Sequence, residues 1–181
     1  SGPLRRYGPH VVRSLETVLK EHPFLSDLPP EHVRVLAGCA ANRRFQVGDY
    51  LWRQGEQADV FCLIRSGQVA LEILVPHQGP VQIETVGEGQ AFGWSWLVPP
   101  YRWHFDVRAV APVRALVLDG ACLRQKLEQN QELGYQLLKR FTAVLAQRLT
   151  AMRLKVLDLS GAVSPNGASD GGRTLHLSRV R

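Results

Sequence analysis

Cysteine is scarce, methionine occurs once and no long apolar run exists; each shortage removes a class of protein. Three of the 181 residues are cysteine. Cys39, Cys62 and Cys122 are odd in number, far apart and set beside apolar neighbours such as Ala40, Leu63 and Leu123, so buried reduced thiols are expected, and neither a disulfide framework nor a zinc site. No run of about 18 apolar residues and no charged-then-apolar leader appears, which argues against a membrane span or a signal peptide and for a cytoplasmic protein. The six histidines, His10, His22, His32, His77, His104 and His176, contain no His-x-His pair, so no metal enzyme built on strand histidines is expected. No Gly-x-Ser-x-Gly elbow, P-loop or paired-carboxylate signature is present. No catalytic residue and no metal ligand is assigned.

What is present is enough apolar residue for one core, 45% of the chain, and a formal charge of +6. The basic residues are spread along the chain, and part of the excess sits near the end in Arg173, Arg179 and Arg181. Solvated charge with weak non-specific affinity for anions is the expected consequence. A disordered or fibrous chain does not fit this composition.

The apolar period changes twice. Residues 14–41 carry helical spacing, Leu15, Val18 and Leu19, then Val33, Leu36 and Ala37, broken by Pro23 and by Pro29-Pro30; they predict short helices. From 42 to 119, short apolar runs at Tyr50–Trp52, Val60–Ile64, Val69–Val75, Val81–Val86, Phe105–Val110 and Val113–Leu118 alternate with glycine turns such as Gly48, Gly55, Gly67 and Gly79. That pattern predicts an antiparallel, jelly-roll-like β-roll. Residues 120–159 return to helix formers, with one helix from Cys122 to Gln129 and a long one from Gln131 or Glu132 to about Leu159. The fold class expected is mainly β with flanking helices, one domain over 14–159. An extension, 1–13, precedes it and a Gly- and Ser-rich tail, 160–181, comes after it; the tail is expected to be flexible.

In the long helix Leu138, Thr142, Leu145, Leu149, Met152, Val156 and Leu159 recur in steps of four and three, which holds them on one side for three heptads. Such a seam predicts a homodimer, although Tyr135, Leu137, Phe141 and Val144 on neighbouring faces also allow the helix to lie on the roll. A helix of this length reaches about 40 Å at roughly 1.5 Å per residue, so both readings can hold along different parts of it.

Several pieces stand in a distinctive order: Phe24-Leu25 with Leu28-Pro29, Phe45-Gln46-Val47-Gly48-Asp49, Gln54-Gly55-Glu56-Gln57-Ala58-Asp59 and Ile64-Arg65-Ser66-Gly67-Gln68-Val69. Together with a closing long helix, this order resembles the sensor domain of the Crp/Fnr proteins and other cyclic-nucleotide-binding domains, over about Pro23 to Leu159. The resemblance implies a ligand cassette that reads Phe-Gly-Glu, a short helix, then an arginine before the next strand. In that cassette backbone N–H groups and the arginine neutralise a cyclic phosphate, and the glutamate accepts from the ribose hydroxyl. Here the stretch runs Phe92-Gly93-Trp94-Ser95-Trp96-Leu97-Val98-Pro99-Pro100-Tyr101-Arg102-Trp103-His104-Phe105. Trp94 stands in the glutamate's place, and counting back from Val107-Arg108-Ala109 puts the phosphate arginine on Trp103, with Arg102 one residue away. A slip of one residue on a strand turns a side chain to the other face.

Two readings of the aromatics stay open. Either they line a pocket for a flat apolar or cationic effector, with Arg102 or His104 as polar anchor, or the rings fill the vacated pocket and become core. The candidate ligand-binding residues are Phe92, Gly93, Trp94, Ser95, Trp96, Arg102, Trp103 and His104. No cofactor is expected; a cyclic nucleotide or another small effector stays open, while haem on His104 or a cysteine, which relatives of the implied fold can carry, ranks below a hydrogen-bonded core histidine. The first function expected is a stand-alone regulatory sensor that passes ligand binding to its long helix and a protein partner. The alternative is a ligand-free dimeric scaffold, with a DNA-associated regulator third. The Crp/Fnr proteins follow the long helix with a helix-turn-helix, and 160–181 is too short and polar to form one, so sequence-specific DNA binding is not expected.

Overall fold

The computed structural model describes residues 13–159. The expected extension (1–12 of it), the expected tail 160–181 and the side chain of Leu159 lie outside the described residues.

Ser14 opens α1 (Leu15–Glu21) by accepting the Thr17 N–H on its hydroxyl at 3.2 Å, and Pro30 opens α2 (Pro30–Ala37), where a missing N–H costs nothing. Eight strands come next: β1 (Ala40–Phe45), β2 (Tyr50–Trp52), β3 (Val60–Ser66), β4 (Gln68–Val75), β5 (Gly79–Gly87), β6 (Ala91–Phe92), β7 (Asp106–Ala109) and β8 (Val113–Asp119). They make two antiparallel sheets, ordered β1-β8-β3-β6 and β2-β7-β4-β5. A short turn of 3-10 helix, Trp94–Trp96, lies between β6 and β7, and α3 (Gly120–Gln129) and α4 (Gln131–Leu159) close the described chain.

The two sheets explain the two kinds of apolar run. In β3, Phe61 and Leu63 enter a core shared with Leu19, Leu36, Leu123 and Leu137 of the helices, while Cys62 and Ile64 enter a second core with Leu71, Val86 and Val107. A strand buried on both faces reads as a continuous apolar run, here Val60-Phe61-Cys62-Leu63-Ile64. Between β3 and β4 the chain reverses at Gly67, φ +88°, where a Cβ would lie 2.1 Å from the Pro112 carbonyl oxygen. Only glycine fits that approach.

Two expectations need correction. The helical reading of 14–41 ends early, because β1 already begins at Ala40, and Ala-Ala-Asn-Arg-Arg-Phe has no alternation to announce a strand. It becomes one by pairing with β8 from Ala40↔Leu118 to Phe45↔Val113. The same pairing overturns the expectation of reduced thiols at Cys39 and Cys122. They are 83 residues apart in sequence, but β1 starts beside the end of β8, so their Cα atoms come within 5.7 Å and the sulfurs are joined in a disulfide. Cys62 stays a free thiol inside the roll, its pKa pushed far up by burial.

The chain divides into two units, one ending at Phe141 and the other beginning at Thr142, a boundary that falls within α4. In the first, Leu133, Leu137 and Phe141 are buried, Phe141 meeting Phe61 edge-on at 4.8 Å between ring centroids. In the second, no residue from 142 to 158 is buried, and Leu145, Leu149, Met152 and Val156 are all exposed. No described helix is long and apolar enough to cross a membrane.

Candidate functional site

The cassette begins where β6 ends. Gly93 takes a left-handed φ of +91°, and a Cβ there would lie 3.0 Å from the Val60 carbonyl oxygen and 2.8 Å from Cη2 of Trp103. Glycine at 93 therefore makes the turn and also leaves room for an indole.

Strand alternation then sets which way residues 102–104 face. The loop before β7 runs beside residues 55–58: the Gly55 N–H donates to the Trp103 carbonyl at 2.8 Å, the Trp103 N–H to the Glu56 carbonyl at 3.0 Å and the Ala58 N–H to the Tyr101 carbonyl at 2.7 Å. Gln57 and Arg102 form an isolated β-bridge. With this register pinned, alternate side chains face opposite ways. Trp103 turns inward and is 2% exposed, whereas Arg102 and His104 are exposed. The Arg102 guanidinium donates from Nη1 to the Gly55 carbonyl at 2.8 Å.

Inside the roll the Trp103 ring stacks on Trp52, 5.1 Å between centroids and 21° between planes, and lies 6.2 Å from the Phe92 ring. Its Nε1–H is buried with no hydrogen-bond partner, an unusual cost for a buried donor. Trp96 goes elsewhere: it is buried in the helix-side core, 6.1 Å from Phe141, and Arg124 donates to its carbonyl at 2.5 Å. The same guanidinium sits 5.0 Å from the centre of the Tyr101 ring. Ser95 is buried and Trp94 half-buried. Six of the eight candidate residues thus fall into three places: Phe92 and Trp103, with Gly93 beside them, between the sheets; Trp96 under the helices; Arg102 and His104 at the surface. A surface His104 offers no enclosed haem ligand.

Sequence reasoning missed one polar pair. Glu72, 3% exposed, is held by Arg108 of the neighbouring strand, with Nε bonds of 3.1 and 3.2 Å and a further short Nη2 bond. These bonds push the Arg108 pKa upward. No alternation in β4 announced the pair, because Leu71 and Glu72 are both buried, with a register irregularity between them.

Two four-stranded antiparallel sheets, preceded by short helices and followed by a long one, with a Phe-Gly turn between β6 and β7, define the β-roll fold class. The family model for the cyclic nucleotide-binding domain matches residues 42–130. A solved putative cyclic nucleotide-binding protein from Geobacter metallireducens is 30% identical, covering 76% of this chain and 98% of that one with a TM-score of 0.67. The chain belongs to the cyclic nucleotide-binding domain family. A cyclic nucleotide-binding domain from Methylobacillus flagellatus shares the fold, with a TM-score of 0.72 at 22% identity over 81% of this chain and 86% of that one. Human cGMP-dependent protein kinase 2 is 30% identical over 118 residues, 64% of this chain and 15% of the kinase. The chain spans a small part of that curated relative's length.

Proposed function

We propose that this chain is a non-catalytic regulatory domain, acting in the cytoplasm, whose roll no longer takes a cyclic nucleotide and whose output is self-association through α4. One observation carries the reading: at the position of the phosphate-binding arginine stands Trp103, buried and stacked on Trp52. An indole in that place offers no positive charge to a cyclic phosphate, and burying an unpaired anion there would cost several kcal/mol. Arg102, the nearest cation in sequence, is bound to Gly55 on the outside. Calorimetric titration with cyclic AMP and cyclic GMP should give no saturable heat. Saturable binding that disappears in Arg102→Ala would overturn the proposal and show that the cassette works in a shifted register.

The partner in self-association is a second copy. The exposed residues Leu145, Leu149, Met152 and Val156 follow the four-three repeat of a two-stranded coiled coil. Among the described helices, no other approaches the 29 residues of α4, the rest having 7, 8 and 10. Light scattering should give a dimer that Leu145→Lys turns into monomer; an unchanged dimer would sink this part. A second reading has its own support in the unpaired Trp103 Nε1–H, which a small apolar effector with one acceptor atom would satisfy. Tryptophan fluorescence that shifts on adding such a molecule, and does not in Trp103→Phe, would favour it.

A further inference from the structure

The disulfide-bonded Cys39 and Cys122 line a surface cleft of ≈ 300 Å³ together with Gly38, Ala40, Ala41, Arg43 and Asp119. Three of those side chains are glycine or alanine, so nothing bulky at those positions blocks approach to the sulfurs. The cleft opens beside β1, an edge strand of its sheet, where backbone groups are available to an incoming extended segment. Cys122 is half-buried and Cys39 buried. The lining carries one arginine and one carboxylate, Arg43 and Asp119.

We propose that Cys39–Cys122 is a thiol-exchange site, opened in the folded protein by a dithiol reductant, and that its opening releases the first turn of α3. In the first step a thiolate of the reductant bonds to Cys122 Sγ, the Cys39–Cys122 bond breaks, and its electron pair leaves on Cys39 Sγ, which takes up a proton. In the second, the reductant's other thiolate attacks its own sulfur in the mixed disulfide, and Cys122 departs as thiolate. The protein gains two electrons, and the reductant becomes a disulfide. Buried Cys62, its pKa pushed up by desolvation, takes no part.

The roll does not need this bond to keep its register. The β1–β8 ladder runs from Ala40↔Leu118 to Phe45↔Val113, and the Asp119 N–H donates to the Cys39 carbonyl at 2.9 Å. Beyond that point α3 is held at its start by the Gly120 N–H on the Asp59 carbonyl, 2.6 Å, by the Asp119 cap on the Cys122 N–H, 2.7 Å, and by the bond itself. Leu123, one residue on, stays in the core. Reduction therefore loosens α3, which leads directly into α4, and leaves the sheets in place.

The test uses the full chain purified without reductant. Thiol titration after denaturation should find one thiol, that of Cys62, and three after the native protein has been incubated with dithiothreitol. Hydrogen exchange compared before and after reduction should rise several-fold in residues 120–129 and stay level in β3 and β4. Three thiols before reduction would overturn the proposal, as would a bond that opens only in urea, or exchange that rises equally across the sheets. The double variant Cys39→Ser/Cys122→Ser should show the fast exchange of α3 whether or not dithiothreitol is added; slow exchange there would also count against the proposal.

Discussion

Trp103→Ala tests whether an indole has closed the roll. The side chain is 2% exposed and lies against Trp52, Phe92 and the Cβ-less Gly93. Cutting a buried tryptophan to alanine costs about 3–5 kcal/mol, and here part of that is returned. The Nε1–H has no partner, and a buried unsatisfied donor costs about 1–3 kcal/mol. The net loss should centre on about 2 kcal/mol. The loop itself should stay, because Trp103 holds Gly55 and Glu56 through its backbone. The variant then carries an apolar cavity between the sheets, of the kind that stays dry and admits a small aromatic. Urea denaturation followed by circular dichroism measures the loss, and repeating it with indole measures the refilling. Indole at roughly ten times its Kd should restore about 1.4 kcal/mol to the variant and leave the parent unchanged. A loss below about 1 kcal/mol, or indole acting equally on both proteins, would refute the reasoning.

Two glycines with nearly the same backbone separate strain from collision. At Gly55, φ +86°, a Cβ would meet nothing within 4 Å, and alanine should cost about 1 kcal/mol in urea melts; at Gly67, with the Pro112 oxygen 2.1 Å away, the loss should be at least twice as large, and equal losses would contradict the geometry. His22 is buried, with Nε2 3.0 Å from the Ile64 carbonyl and Nδ1 accepting the Phe24 N–H. Burial, opposed by the Ile64 bond and helped by the Arg65 charge, holds its pKa below the ordinary 6.5. The unfolded chain thus binds a proton that the folded one refuses. Stability should be full above 6.5 and fall as pH drops below it, a fall that His22→Gln should flatten in urea melts between about pH 7.5 and about pH 5.5.

Much of the fold was legible in the sequence. Alternation and glycine turns marked six of the eight strands, because burial on a sheet imposes a period of two, and the four-three repeat gave α4 almost to the residue. That Trp94 and Trp103 stand where the resemblance implies a glutamate and an arginine is a reading of the sequence alone. Three matters were decided in three dimensions. β1 is a strand because β8 offers it a ladder, not because Ala40-Ala41-Asn42-Arg43-Arg44-Phe45 favours one. Cys39 and Cys122 are partners because that ladder sets its two ends side by side. And the aromatics that crowd residues 92–105 are sent apart, since a hydrogen-bonded register turns Trp103 into the roll and Arg102 and His104 out of it, while the helical turn at 94–96 places Trp96 under the helices. Local patterns carry period and propensity, which neighbours in sequence share; register and pairing belong to residues far apart, and only the assembled sheets bring those together.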